Sequence, residues 1–278
     1  MNKIIERRGG LLIGLMTVLL LWGVQAQAVI DGIEGTTANL VTTFNLAAKQ
    51  DNIGTPDADS ILMWGYADAD GTNRMQYPGP TLIVDQGVTV TVNLTNELPA
   101  AHLQNVSIVF PGHAVTASGG VAGALTREAG YVGNPGADPT TVTYTFVATQ
   151  PGTYLYRSGT RPDLQVEMGL VGALIVRPTG GATVPDETRS NSPPFKLAYN
   201  HSDTAYHHEY LYLVTEVDVN IHALVRDGRI AEVDMTTWFP VHWFVNGRAF
   251  PDLLQMPYHP FFPTQPYNCV PRTHPFEK

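Results

Sequence analysis

Two stretches of this chain alternate apolar and polar residues with a period of two, and this pattern constrains the fold more than any other sequence feature. The first covers residues 88–95 (VTVTVNLT) and the second residues 141–146 (TVTYTF). Successive side chains of a β-strand point to opposite faces of a sheet, so each stretch predicts a strand with one buried face. The residues expected to point inward are Val90, Val92, Val142, Tyr144 and Phe146.

Further strand and turn signals fill residues 29–178. Residues 154–156 (YLY) and 172–176 (GALIV) are typical of strands, and the chain's 26 glycines and 21 prolines indicate many turns. Many short strands with few helix candidates predict an antiparallel β-sandwich or barrel. Residues 117–123 (ASGGVAG) are too small for a strand core and predict a loop.

The beginning of the chain has the pattern of an export signal. Basic residues in the first eight positions precede an apolar run of about 14 residues, which is followed by Ala26-Gln27-Ala28. We expect residues 1–28 to be a signal peptide that is removed before Val29, giving a periplasmic or secreted protein. A transmembrane anchor is the less favoured alternative, because spanning a bilayer takes about 20 residues.

A linker divides the remaining chain. Residues 179–194 are rich in Pro, Gly, Ser and Thr and lack periodicity, so they separate a first domain at 29–178 from a segment at 195–278. In that segment, residues 210–214 (YLYLV) predict a buried strand. Residues 219–225 predict a short helix with Ile221, Leu224 and Val225 on one face. At about 84 residues the segment is short for a second sandwich of about 100 residues.

Charge and cysteine content exclude several function classes. Lys and Arg number 16 against 25 Asp and Glu, for a net charge of -9. Proteins that bind nucleic acid or an anionic membrane surface need a basic field, so we expect neither partner, and no stable membrane anchor after cleavage. A single cysteine excludes a disulfide framework and a thiolate zinc cluster.

Four phrases in order carry a family resemblance: residues 77–84 (YPGPTLIV), 88–96 (VTVTVNLTN), 152–156 (GTYLY) and 165–176 (QVEMGLVGALIV). Together they resemble the first plastocyanin-like (cupredoxin) domain of multicopper oxidases. Residues 243–248 (WFVNGR) are similar to the start of that family's second domain. The resemblance implies an all-β, cupredoxin-like Greek-key β-sandwich followed by an incomplete second cupredoxin-like segment. It also implies copper as cofactor and an oxidoreductase that reduces dioxygen.

The sequence departs from the family at the copper ligands. The family places two His-x-His pairs in this domain, which supply half the ligands of a trinuclear copper cluster. The aligned positions here are Val109 and Pro111 for the first pair, and Arg157 and Gly159 for the second. None carries an imidazole, so we expect the fold without a trinuclear copper site, and we assign no catalytic or cofactor-binding residue. The chain alone is then inactive, and copper is not expected to bind to it.

Three residues remain as candidate metal ligands, each with a plainer alternative. His113 lies two residues beyond the first aligned pair and could bind by a shifted register, whereas a solvent-facing loop histidine is favoured. Cys269 and His274 have a Cys-x4-His spacing seen in cupredoxins, whereas a lone cysteine is more often a small buried hydrophobe. The upstream partners of such a blue-copper site would be His242, His259 and Met256.

Two further clusters are expected to be structural. His207 and His208 are adjacent, and neighbouring side chains on a strand point to opposite faces, which argues against a shared metal. Residues 68–71 (DADG) contain only part of a calcium loop and predict a turn.

Three hypotheses follow. The first is the N-terminal portion of an exported multicopper oxidase-like protein, with a scaffold role and with the copper ligands beyond Lys278. The others are a non-enzymatic cupredoxin-like binding module and a small blue-copper electron-transfer protein using Cys269.

Overall fold

The computed structural model describes residues 30–133, 140–179, 183–185 and 194–269. The strands within these residues are β1 (Thr36–Ala38), β2 (Val41–Gly54), β3 (Ser60–Asp68), β4 (Met75–Gln76), β5 (Leu82–Asp85), β6 (Thr89–Asn96), β7 (Thr116–Gly119), β8 (Val121–Ala122), β9 (Arg127–Glu128), β10 (Thr141–Val147), β11 (Gly152–Arg157), β12 (Val171–Arg177), β13 (Thr183–Val184), β14 (Phe195–Leu197), β15 (Ala205–Tyr206), β16 (Val214–Val217) and β17 (His242–Val245). The α-helices are α1 (Pro162–Glu167) and α2 (Val219–Arg226). Single 3-10 turns lie at Ala100–His102, Ser202–Thr204, Ile230–Glu232, Met235–Thr237 and Asp252–Leu254.

Two sheets enclose the main core. The larger has the strand order β4-β3-β2-β6-β10-β7, with β1 added beside β2, and the smaller has the order β11-β12-β5. Buried residues of both sheets form one apolar cluster, including Phe44, Val92 and Tyr144 from the first sheet and Leu82 and Leu174 from the second. The molecule is therefore a β-sandwich with its core between the sheets.

The two alternating stretches pair with each other, as strands β6 and β10. Their antiparallel register places Val92 opposite Tyr144 and Val90 opposite Phe146. All five residues predicted to point inward are buried, with 3% exposure or less. On the outer face, Thr143 donates a hydrogen bond to Asn93, which in turn donates to Asn45. The prediction of these strands and of their buried face is confirmed.

Two predictions about this sandwich were wrong in part. Strand β2 pairs in parallel with β6, and β5 pairs in parallel with β12, so both sheets are mixed rather than antiparallel. Residues 116–119 are not a loop but strand β7, which pairs with β10 at the sheet edge. Small side chains are sufficient there because an edge strand gains its stability from the backbone ladder, and only its inner face needs packing.

The segment after the predicted linker packs against the sandwich. Strands β16 and β17 form an antiparallel pair, and their Val217 and Phe244 share a second buried cluster with Tyr77, Ile53 and other residues of the sandwich. Helix α2 forms where it was predicted, with Ile221 and Val225 buried. This segment therefore completes its core on the first domain.

Two predictions about this segment need correction. The buried strand expected at residues 210–214 is absent: β16 begins only at Val214, and Tyr210 and Tyr212 are exposed. Within the predicted linker, Thr183–Val184 pair with β14. The predicted signal peptide and His274 lie outside the described residues. Among the residues that are described, no helix has the length and apolar character needed to cross a bilayer.

Candidate functional site

The structure brings together three of the four positions that align with the family's copper ligands. Val109 and Arg157 form an antiparallel bridge, in which the Val109 amide donates to the Arg157 carbonyl at 2.8 Å and the Arg157 amide donates back at 3.2 Å. A Cβ atom at Gly159 would lie 2.7 Å from Val109 Cγ1. Pro111 follows on the same loop and is exposed. Two stretches that are far apart in sequence thus meet at one place. We call the four positions Val109, Pro111, Arg157 and Gly159 the bridge site.

The side chains of the bridge site do not fit copper. Valine and proline have no donor atom, and glycine has no side chain. The Arg157 guanidinium carries only N–H donors and a positive charge, and its Nη1 donates to the Ser158 carbonyl at 3.1 Å. Copper in proteins takes imidazole and thiolate ligands, which these positions lack.

Hydroxyl and amide groups join the two loops beside the bridge site. The hydroxyl oxygens of Ser107 and Thr160 lie 2.8 Å apart. Ser158 donates to the amide oxygen of Gln165 at 2.6 Å, and the Gln165 amide nitrogen donates to the Asn105 carbonyl at 2.8 Å. Ser107, Ser158 and Gln165 are fully buried, and the hydrogen bond between Ser158 and Gln165 lies away from water, so these contacts help to fix the loops.

Two buried tyrosines lie beside these loops, and sequence reasoning gave neither of them a structural role. Tyr66 donates to the Ser107 carbonyl at 2.9 Å, and Tyr156 donates to the Pro80 carbonyl at 2.6 Å. Burial raises the pKa of both phenols well above its ordinary value, so both are neutral donors at physiological pH. The only sequence signal for these tyrosines is their position on strands, because their hydrogen-bond partners lie far away along the chain.

His113 is packed between aromatic rings. Its ring centroid lies 4.7 Å from that of Phe146 and 4.5 Å from that of Tyr154. Its Nδ1 is buried and has no hydrogen-bond partner among the described residues, and burial lowers the pKa of the imidazole. The expectation of a solvent-facing loop histidine is therefore wrong, because the half-buried ring packs on the sandwich.

Cys269 lies in a cleft lined by Tyr210, Tyr212 and Tyr267, and the described residues that line this cleft include no histidine. Its thiol donates to the Leu253 carbonyl at 3.2 Å, and burial raises the pKa of the thiol. The described lining of this cleft therefore offers no imidazole to share a metal ion with the Cys269 thiol.

The upstream blue-copper candidates make other contacts. His242 stacks on Phe244, and His259 Nδ1 accepts a hydrogen bond from the Phe261 amide at 3.3 Å. The Met256 side chain is exposed. None of these three side chains lines the Cys269 cleft.

The remaining clusters have structural surroundings. His207 stacks on Phe195 with ring centroids 3.8 Å apart and lies outside any strand, so the argument from opposite strand faces does not apply to it. Residues 68–71 form the predicted turn, and Asp70 accepts hydrogen bonds from Asn45. In the part of the chain that the structure describes, no three His, Cys, Asp or Glu side chains are grouped to hold a metal ion.

Comparison with known proteins gives the same family. A family model described as multicopper oxidase matches residues 67–181. The chain is 35% identical over 120 residues to the multicopper oxidase MCE of Talaromyces pinophilus. The matched region covers 42% of this chain and 18% of that protein. It is 34% identical over 110 residues to the L-ascorbate oxidase of Cucumis sativus, covering 40% of this chain and 17% of that protein. The resemblance to multicopper oxidases is confirmed.

Solved structures show the same fold. The blue copper oxidase from Nitrosomonas europaea matches with a TM-score of 0.51 at 20% identity, over 77% of this chain and 55% of that one. The multicopper oxidase mgLAC matches with a TM-score of 0.50 at 20% identity, over 77% and 56%. The predicted cupredoxin-like fold is confirmed, and the chain matches less than a fifth of the length of either curated relative.

Proposed function

We propose that this chain, whose residues 67–181 match multicopper oxidases, is a ligand-free cupredoxin-like domain of an exported multicopper oxidase-like protein, with a scaffold role. The observation that carries the proposal is the bridge site. The positions aligned with the family's copper histidines hold Val109, Pro111, Arg157 and Gly159, and three of them are neighbours in space. The family's chemistry is copper-dependent oxidation coupled to dioxygen reduction, and this domain contributes structure to it.

The character of the bridge site supports a scaffold role. A cation placed there would meet the fixed positive charge of Arg157 in place of a lone pair. The loops on both sides are fixed by a buried hydrogen bond between Ser158 and Gln165 and a partly buried one between Ser107 and Thr160, so a shift that brings another side chain into the site would break them. The domain is thus built for rigidity at this position.

Export is a separate part of the proposal and rests on the first 28 residues. The basic start, the apolar run and Ala26-Gln27-Ala28 favour cleavage before Val29. Mass spectrometry of the protein expressed with its leader should give an N-terminus at Val29. Intact Met1 in a membrane fraction would contradict export by cleavage.

A non-enzymatic binding module is the second candidate, and one observation favours it. The segment after β16 exposes large aromatic side chains, with Phe239 at 70%, Trp243 at 60% and Phe261 at 84% exposure. Exposed aromatic surface of this kind is typical of interaction sites. The third hypothesis, a blue-copper protein using Cys269, is disfavoured by a cleft whose described lining contains no histidine.

Copper analysis separates the blue-copper candidate, and any copper-binding oxidase, from the two candidates without a metal site. We expect residues 29–278, loaded with copper and then dialysed against a weak chelator, to retain no copper and to consume no oxygen with a phenol or ferrous iron. One copper with an intense blue colour would support the electron-transfer reading. Several coppers per chain, or copper-dependent turnover above a chelator-treated sample, would refute the scaffold proposal.

A designed variant provides the positive control. Val109 and Arg157 are direct bridge partners, so histidines at both positions would have Cβ atoms about 5 Å apart on one side of the pair. The double variant Val109→His/Arg157→His should therefore retain copper under conditions in which the natural chain retains none. If the variant also fails to bind, the site lacks the geometry we assign to it.

A further inference from the structure

A groove runs along one edge of strand β16. It is lined by residues 213–216 and by residues of the sandwich that include Leu155, Asp163 and Val166, and it has a volume of about 620 Å³. Of the described residues of β17, the partner of β16, none lines it. Successive side chains of a strand point to opposite faces, so a groove that touches residues 213–216 in succession but not β17 lies along the outer edge of β16. Its volume is in the range of ligand-binding clefts, about 300–1,000 Å³.

The hydrogen bonds of β16 show which backbone groups point toward this groove. The Asn246 amide donates to the Leu213 carbonyl at 2.8 Å, so residue 213 turns its backbone toward the β17 side. The direction alternates along a strand in an antiparallel pair, so the backbone groups of Val214 and Glu216 point away from β17. Among the described strands, none pairs with β16 on that side. Val214 and Glu216 therefore present an edge for further pairing.

Strand β2 of the sandwich shows how such an edge is completed within the same molecule. It pairs antiparallel with β3 on one edge and in parallel with β6 on the other. Among the described strands, β16 has only the antiparallel partner β17. A two-stranded pair is marginal on its own. The groove thus lies on the side of β16 where a third strand could add to the pair.

The side chains of the groove indicate the chemistry of such a strand. Apolar side chains form much of the lining: Leu155, Val166, Val171, Leu213, Val214 and Met235. Asp163, Glu167 and Glu216 add three carboxylates, and the described lining includes no Lys, Arg or His. A complementary segment therefore carries apolar side chains together with positive charge.

Two of these acids are exposed and face a partner. Glu167 is nearly buried and already engaged, since its carboxylate accepts from the Trp238 indole nitrogen at 2.9 Å and lies 3.4 Å from His222 Nε2. Asp163 and Glu216 are exposed. Basic side chains on one face of an added strand can reach these two carboxylates, while apolar side chains on its other face cover the apolar lining.

We propose that this groove binds an extended segment of a partner protein, in which apolar residues alternate with lysine or arginine, by adding it as a strand to β16. Pairing with the backbone of Val214 and Glu216 supplies affinity, and the alternating side chains supply specificity. A second copy of this chain is a poorer occupant, because β16 paired with itself sets the acidic linings of two copies against each other. The proposal does not rest on the scaffold role, since none of the bridge-site positions lines the groove.

Hydrogen exchange on the full chain, followed residue by residue by nuclear magnetic resonance, tests strand addition. The probe is a synthetic octapeptide of alternating valine and lysine, and the control peptide has glutamate in place of lysine. At a concentration of about ten times its Kd, the lysine peptide should slow exchange of the Val214 and Glu216 amides about tenfold. The amide of Thr215, which faces β17, should change little, and the glutamate peptide should change none of the three.

Three results of that experiment would overturn the proposal. The first is no slowing with the lysine peptide, which would mean that the carboxylates only keep this edge from pairing. The second is equal slowing at Val214, Thr215 and Glu216, which would show adhesion without strand pairing. The third is slowing that rises with the concentration of the chain in the absence of peptide, which would identify a second copy as the occupant.

Charge variants test the choice of partner. Glu216→Lys should weaken binding of the lysine peptide about fivefold and tighten binding of the glutamate peptide, as measured by calorimetric titration. Glu34→Lys is the matched control, because Glu34 is an exposed acid outside the groove, and its Kd should stay within about twofold of the unmodified chain. The same Kd in both variants would contradict recognition by the groove.

Removal of backbone donors tests the pairing itself. Val214→Pro deletes an amide hydrogen that points away from β17, and proline is tolerated at such an edge, so the chain should fold and lose peptide binding. An octapeptide that is N-methylated at every residue keeps all its charges and should bind the unmodified chain at least about tenfold more weakly. This second measurement decides if Val214→Pro does not fold. Equal affinities of the methylated and unmethylated peptides would refute strand addition.

Discussion

Substitution of Val92 by aspartate is the most stringent test of the sandwich. Val92 is fully buried in β6, where its neighbours in register are Phe44 on β2 and Tyr144 on β10. Removing the buried valine forfeits about 1.5–3 kcal/mol of transfer free energy. A carboxyl group without a partner, even if protonated, adds about 1–3 kcal/mol. The expected loss of about 2.5–6 kcal/mol is a large part of the stability of a typical domain, about 5–15 kcal/mol.

The matched control is Thr91→Asp on the same strand. Thr91 is next to Val92 but points to the outer face, between Thr43 and Thr145, and is only partly buried. Urea unfolding followed by circular dichroism should show a strongly lowered midpoint or no cooperative transition for Val92→Asp, and a change of at most about 1 kcal/mol for Thr91→Asp. Equal midpoints for the two variants would mean that the faces of β6 were assigned wrongly.

Three further outcomes follow from the buried polar groups. Tyr156→Phe leaves the Pro80 carbonyl without its donor and should cost about 1–2 kcal/mol in urea unfolding, so an unchanged midpoint would contradict that hydrogen bond's role. The raised pKa of the Cys269 thiol should make its alkylation by iodoacetamide at neutral pH slower than in the urea-unfolded chain; equal rates would show that the fold does not perturb this thiol. Burial lowers the pKa of His102 and His113, so the unfolded chain binds these protons first, and stability should fall as pH drops below about 6.5. His113→Gln should reduce that acid-side slope, measured as the change of the urea midpoint with pH, and an undiminished slope would show that His113 contributes nothing to it.

The strands that were predicted are those whose buried face is encoded by the pattern of neighbouring residues. In β6 and β10 the alternation itself encodes which side is buried, because the period of the side chains matches the period of the strand. Strand β7 was missed because Thr116–Gly119 has almost no side chain to bury and is held by its backbone pairing with β10. Residues 210–213 misled for the opposite reason: they are apolar and aromatic, yet strand pairing with β17 begins only at Val214, so Tyr210 and Tyr212 stay exposed.

The bridge site illustrates the same division. The resemblance indicated which four positions to compare, and the residue types there already excluded imidazole ligands. That Val109 and Arg157 are hydrogen-bonded partners, 48 residues apart in sequence, depends on how the two loops cross the end of the sandwich. The tyrosine and glutamine side chains that hold those loops have partners up to 60 residues away, so no spacing rule could find them.

The sequence by itself determined the all-β class, the buried faces of the central strands, the short helix predicted at 219–225 and the lack of histidine at the four positions compared with the family, because each depends on residue type or on a short period. Only the tertiary structure decided the parallel pairings, the packing of His113 between Phe146 and Tyr154, and the contact between Glu167 and His222. The physical reason is the range of the interaction: a period of two is written in neighbouring residues, whereas a buried charge is tolerated only where distant segments supply its partner.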